Sequence, residues 1–276
     1  MIRIQISLIL LLLPLTLWSQ EDICIGKKHF LYSTVLQEDR HYWVHLPDNY
    51  GLDTAQTYPV IYLLDGDSFF YSLVGICKTF STVKGKVIPP GIIIGVLNID
   101  RTRDLTPTAS AAGRDGKIDP DATPQGGGSE QFSRFLTEEL RPVIDSTYRT
   151  NGRNMLIGHS YAGLFTVNTF LRHTGLFDTY LAVDPSLWWD QGKLAEEAEK
   201  LIKGKDFTGK SLYIGVASKK RTDRVDIHLN KVNRLLREVL PQAENLRFFS
   251  KSFPEENHGT VAVPGIYDGI KQLFGK

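Results

Sequence analysis

The 276-residue chain has only two cysteines, Cys24 and Cys77, and two methionines. Two cysteines define no disulfide framework, and no His/Cys spacing in the sequence matches a zinc site. There is no charge excess either: 32 Lys and Arg stand against 31 Asp and Glu. Such a balance supplies no basic surface for a phosphate backbone, which argues against nucleic acid as a partner. No internal period marks a repeat architecture, and no stretch is polar enough for a disordered tail. The sequence also lacks an uninterrupted apolar run of ~20 residues, the length that crosses a bilayer.

Its start carries something shorter. "MIRIQIS" contains Arg3, "LILLLLPLTLW" is an apolar run interrupted by Pro14, and "SQED" follows. A basic residue, an apolar segment and a small residue in that order are the parts of a secretory signal. The expectation is a signal peptide over residues 1–20, cleaved near Ser19–Gln20. Export to the periplasm or the medium follows from it, with no stable membrane anchor after cleavage. Losing Arg3 leaves 31 basic against 31 acidic residues. Export would permit Cys24 and Cys77 to pair, but two buried free thiols are equally compatible with the sequence. Residues 21–276 suffice for one domain with a sizeable core.

Within that domain, residues 29–36 and 40–47 alternate, are rich in aromatic and β-branched residues, and read as an antiparallel hairpin. Continuous apolar runs, "YPVIYLLDG" (58–66) and "PGIIIGVLNID" (90–100), suit strands buried on both faces. Helical spacing appears at 68–80, at 129–148 (opening on Ser129, a capping residue), and at 161–173, 193–204, 226–240 and 265–274. Strand-like runs at 153–159, 178–186, 211–218 and 245–253 alternate with these helices. The pattern predicts an α/β fold: about eight strands in a mostly parallel sheet, with helices on both faces. Residues 101–128, rich in Gly, Pro, Asp and Thr, read as one long irregular loop.

In such a sheet, reactive groups gather at the carboxyl ends of the strands. "NMLIGHSYAG" (154–163) puts Ser160 at one of those ends. Gly158, Ser160, Ala162 and Gly163 form G-x-S-x-A-G, the pattern of a tight strand-to-helix turn that lifts a serine out of the sheet. There the hydroxyl can attack a carbonyl while the backbone N–H of Tyr161 stabilises the oxyanion. The plain alternative is a helix cap. A nucleophilic serine needs a base. Of the seven histidines, His258 lies in the polar turn "FPEENHGTV", after the last strand, where the order Ser…Asp/Glu…His places it. His29, His41 and His45 fall in the hairpin, His173 and His228 on helix faces, and His159 points away from Ser160 along an extended strand. For the acid, Asp223 and Asp226 follow "SLYIGVAS" and lead, each with the alternative of capping the next helix; Asp184 in "AVDPS" is the outsider. A second oxyanion donor is expected from the turn after the third strand, the N–H of Asp67 or Ser68. Arg101 and Arg103 in "NIDRTRD" sit at a reactive edge, where they would hold an anionic or catechol-bearing substrate or form a loop salt bridge with Asp104.

In "YPVIYLLDGDSFF", "NIDRTRDLTP", "FLTEELRPVIDSTYRT", "LIGHSYAGL", "DPSLWWD" and "ENHGTVAVPGIYDGI", taken in order, the chain resembles the putative esterase family of the α/β-hydrolase superfamily. That family holds enterochelin esterases, the esterase D type, feruloyl esterases and mycolyltransferases. The resemblance implies Ser160 as nucleophile, His258 as base, and Tyr161 N–H with the turn after Gly66 as oxyanion hole. It implies Trp188 and Trp189 as substrate contacts, with core packing as the alternative, and no metal or organic cofactor. Two positions depart from the family pattern: Ala162 replaces a usual Gly, and Asp184 a common Ser. The expected activity is that of an exported serine esterase acting on a small-molecule or carbohydrate-linked ester, such as a siderophore lactone. An acyltransferase, or a hydrolase homologue that binds a glycan or siderophore without turnover, are the competing readings.

Overall fold

Alternation at the start of the domain produces a hairpin. Strands β1 (Lys27–Ser33) and β2 (Glu38–His45) pair antiparallel, with Lys27 opposite Val44 and Ser33 opposite Glu38. The computed structural model describes residues 22–84, 86–118, 120–218 and 229–275. The sheet continues with β3 (Tyr58–Leu63), β4 (Ile92–Val96), β5 (Thr150–His159), β6 (Thr179–Val183), β7 (Ser211–Ala217) and β8 (Arg247–Phe253). Its spatial order is β1-β2-β4-β3-β5-β6-β7-β8. β2 runs antiparallel to β4, and every pair from β4 through β8 is parallel. This is the expected eight-stranded, mostly parallel sheet.

Among the described residues, the helices flanking it include α1 (Gly66–Thr82), α2 (Arg101–Leu105), α3 (residues 129–147), α4 (Tyr161–Arg172), α5 (Trp189–Ile202), α6 (residues 229–242) and α7 (Ala262–Phe274). Successive residues of the central strands serve opposite faces. Val60 and Tyr62 of β3, with Ile92 and Ile94 of β4, meet Phe135 and Leu140 of α3 and Phe165 and Phe170 of α4. Ile61, Leu63 and Ile93 meet Phe70, Leu73 and Phe80 of α1 and Ile266 and Ile270 of α7. Each such side chain contributes about 1.5–3 kcal/mol when fully buried. Two-sided burial therefore explains why β3 and β4 read as continuous apolar runs rather than alternating ones.

Three details differ from the sequence expectation. First, α3 and α6 are not uniform: each widens into a π turn (Phe135–Leu140 and Leu235–Val239) just ahead of a proline, Pro142 and Pro241. Proline offers no N–H and crowds the carbonyl four residues back, and the wider turn relieves both. Ser129 does not cap α3; the N-cap is Gly128, and Ser129 Oγ accepts from Asn168 Nδ2 at 3.4 Å. Second, the 101–128 stretch is structured. It begins as α2, capped by Asp100 Oδ1 accepting from Arg103 N at 2.9 Å, and includes a two-residue bridge between Ala109–Ser110 and Gln125–Gly126. Arg40, 1% exposed, donates to Asp104 Oδ2 at 2.7 Å and Glu38 Oε1 at 2.8 Å, and Arg103 donates to both carboxylates. This network ties α2 to β2. Third, the cysteines match neither alternative: both thiols are free, with Cys24 exposed and Cys77 buried. Burial pushes the Cys77 thiol up to about 12. Among the described residues, no helix is long and apolar enough to cross a membrane, and no group of three or more His, Cys, Asp or Glu could hold a metal ion.

Candidate active site

β3, β5 and β6 are adjacent and parallel, with Leu63 opposite Ile157 and Ile157 opposite Leu181. Each carboxyl end is followed by a non-glycine residue with positive φ: Asp65 (φ 53°), Ser160 (φ 62°) and Asp184 (φ 41°). Such residues are uncommon and concentrate where surrounding structure imposes them. At Ser160 the imposing contact is visible. A Cβ on Gly158 would run into the carbonyl of Ala162 and come within 2.8 Å of Thr166 Oγ1. One on Gly163 would lie 3.0 Å from Pro185 Cα. The Ala162 side chain, in contrast, sits fully in the core. The elbow is thus limited by the backbone of residue 162 and accommodates alanine there.

Three side chains converge at this rim. Ser160 Oγ lies 2.9 Å from His258 Nε2, and His258 Nδ1 lies 2.6 Å from Asp184 Oδ2. The second oxygen, Asp184 Oδ1, accepts from Ala217 N at 3.0 Å. The imidazole therefore has a fixed orientation: Nδ1–H donates to the carboxylate, leaving Nε2 to accept the Ser160 proton. The carboxylate bonded to His258 follows β6, whereas the sequence pointed first to Asp223 and Asp226 beyond β7. Those two lie outside the described residues, and the Nδ1 they would have oriented is taken by Asp184. β7 contributes the Ala217 N–H that steadies the carboxylate.

The expected oxyanion donors sit at two neighbouring helix starts. Tyr161 is the first residue of α4 and Asp67 the second of α1, positions whose N–H groups have no intrahelical acceptor. The alternative, Ser68, is excluded, because its N–H donates to Asp65 O at 3.0 Å. The exposed Asp67 carboxylate accepts from Asn98 Nδ2 at 3.3 Å. Arg101 is not the free substrate contact expected from the sequence, nor is it paired with Asp104. Its Nε and Nη2 donate to Asp65 at 2.7 and 2.8 Å, Nη2 also reaches His159 O at 3.3 Å, and the guanidinium covers the Tyr161 ring. Burial opposes its charge, but the bonds to Asp65 outweigh this and raise its pKa. Arg101 thereby links the α1 turn to the serine turn. Arg103 forms the loop ion pair with Asp104.

The two tryptophans differ in exposure. Trp189 is buried and donates from Nε1 to Thr108 O at 2.9 Å, so it anchors the 101–128 segment. Trp188 is part-exposed, 6.0 Å from the Tyr161 ring, with the Arg114 guanidinium 6.0 Å above it. Two residues escaped the sequence reading. His159 donates from Nε2 to His258 O at 2.9 Å, and its ring lies 4.8 Å from that of His258. Burial, and then the nearby His258, hold the His159 pKa below the usual histidine value. Ser186, buried in the turn after Asp184, has its Oγ 3.3 Å from Ser160 Oγ. No sequence signal distinguishes it from any serine beside a proline.

Comparison with known proteins supplies the remaining context. The family model described as "Putative esterase" matches residues 33–258. The siderophore enterobactin esterase of Emericella nidulans is 27% identical over 252 residues, 77% of this chain and 81% of that protein. The apo-salmochelin esterase of Escherichia coli is 27% identical over 253 residues, 86% of this chain and 76% of that protein. Among solved structures, the IroE-like serine hydrolase of Shewanella oneidensis superposes with a TM-score of 0.81 at 34% identity, covering 90% of this chain and 80% of that one.

Proposed function

Because the chain belongs to the Putative esterase family and is an ester-bond hydrolase, we propose that Ser160, His258 and Asp184 carry out its reaction through an acyl-enzyme. The observation behind this reading is the continuous hydrogen-bonded chain from Ser160 Oγ through His258 to Asp184. Ser160 Oγ attacks the ester carbonyl carbon as its proton passes to His258 Nε2. The carbonyl oxygen becomes an oxyanion, met by the N–H groups of Tyr161 and Asp67. Collapse breaks the ester C–O bond, and the departing alcohol takes the proton from His258. Water then attacks the acyl group, gives a proton to His258, and Ser160 leaves with that proton restored. Asp184 stabilises the imidazolium formed in both halves.

For the substrate we propose a small-molecule siderophore ester. The named relatives support this, being esterases of enterobactin and salmochelin. The part-exposed Trp188 beside Tyr161 offers an aromatic surface suited to a planar acyl group. The test compares wild type with Ser160→Ala on a triscatecholate lactone, a feruloylated sugar and p-nitrophenyl acetate. Preferred cleavage of the lactone, abolished in Ser160→Ala, is the expected result. Preference for the feruloylated sugar would move the substrate to carbohydrate-linked esters, and undiminished activity of Ser160→Ala would reject the nucleophile. Export also belongs to the proposal, supported by Arg3 and the apolar run after it. N-terminal sequencing of exported protein should begin near Gln20; a start at Met1 would refute cleavage.

A further inference from the structure

The nucleophile candidate touches a second hydroxyl that no step above uses. Ser186 is 3% exposed, its Oγ is 3.3 Å from Ser160 Oγ, and its backbone N–H donates to Ser160 O at 3.0 Å. Pro185 presses the same turn against Gly163 at the start of α4. The Asp184–Pro185–Ser186 turn therefore reaches Ser160 by three routes: through His258, through the backbone and directly through Oγ.

The direction of the hydroxyl bond follows from the protons available. Ser160 has one proton, and His258 Nε2 at 2.9 Å accepts it. Ser160 Oγ is then an acceptor toward any other hydroxyl. Among the described residues Ser186 Oγ has no hydrogen-bond partner other than Ser160 Oγ. A buried hydroxyl proton is rarely left unpaired, so this one is directed at Ser160 Oγ.

We infer that Ser186 is a catalytic hydrogen-bond donor to the nucleophile oxygen. At rest the bond is long, because a protonated hydroxyl is a modest acceptor. As Ser160 Oγ gives its proton to His258 it gains negative charge, and hydrogen bonds to charged acceptors are shorter and stronger. The same holds when Ser160 Oγ is the leaving atom in deacylation. Ser186 thus binds the nucleophile more tightly in both transition states than in the ground state, which is the condition for accelerating chemistry rather than binding. No bond to Ser186 is made or broken.

The inference rests on Ser160 being the nucleophile, and its test separates the two. Wild type, Ser186→Ala and Ser186→Cys are compared on p-nitrophenyl acetate for kcat and KM, and on a fluorophosphonate for the rate of Ser160 labelling. Loss of the extra strength that the bond gains as Ser160 Oγ becomes charged predicts kcat and labelling rate about five- to tenfold lower in Ser186→Ala, with KM and the midpoint of the pH–rate profile unchanged. Ser186→Cys, a weaker donor, should fall between. Unchanged kcat and labelling in Ser186→Ala would overturn the inference, as would a change confined to KM or a shift of the pH midpoint, which would mean displaced substrate or imidazole. If Ser186→Ala does not fold, Ser186→Cys decides alone, and a wild-type rate there overturns it. Activity surviving in Ser160→Ala would instead remove the premise and leave Ser186 without a role.

Discussion

At the scale of single residues, the consequential one is Asp184. Its left-handed backbone puts Oδ2 on His258 Nδ1 while Ala217 N holds Oδ1. Replacing it by asparagine keeps the shape, but an amide turned to donate would force the imidazole into the wrong tautomer. Asp184→Asn should lower kcat by about 10³–10⁴-fold, with little change in Tm. A loss under tenfold in steady-state assays would mean that Ser160 and His258 work as a pair. Ser160 and His258 could be singled out in the sequence because each has a local signature: a crowded turn with obligatory small neighbours, and a polar loop after the last strand. The acid has none. Any aspartate at a strand end satisfies the chain order, and only the three-dimensional register of β6 against β7 selects residue 184. Arg101 misled for a related reason: its position at the rim was legible, but its partner Asp65 lies 36 residues away in sequence, beyond the end of the neighbouring strand.

At the scale of elements, the elbow between β5 and α4 holds the site together. Gly158 has no room for a methyl group against the Ala162 carbonyl, so the clash can be relieved only by moving strand or helix. Gly158→Ala is expected to cost about 1–3 kcal/mol, which for a domain of this size lowers Tm by roughly 2–12 °C, and to reduce fluorophosphonate labelling of the folded fraction. A Tm and labelling rate equal to wild type would show that the elbow has slack the structure does not reveal. The strands and long helices were legible because two-sided burial writes continuous apolar runs and 3.6-residue spacing into the sequence. Helix α2 was not, since five residues are too few to show a period. It is held instead by the Arg40, Arg103, Asp104 and Glu38 charges, whose pairing spans 65 residues of sequence.

At the scale of the whole molecule, the pKa directions set how stability responds to acid. Burial lowers the pKa of His45, whose Nδ1 donates to Ile25 O, and of His159. In the unfolded chain both return to about 6.5. The unfolded state therefore binds more protons below that pH, and stability present above pH ~6.5 declines as pH falls toward the lowered folded values. Thermal melts between pH 8 and pH 5 should show Tm falling, with a shallower slope in His45→Gln. A flat or rising Tm would contradict the neutral, buried state of these rings. A separate acid window lies lower, where Glu38 gains protons despite Arg103 and Glu139 despite the donors of residues 33–35. The reaction proposed for this fold stands or falls with a single atom, Ser160 Oγ. The most direct measurement is peptide mapping by mass spectrometry after reaction of the folded protein with a fluorophosphonate, in wild type and His258→Ala. The account predicts one adduct, on Ser160, formed at least about a hundredfold more slowly without His258. An adduct on another residue, or labelling of Ser160 that does not depend on His258, would contradict it.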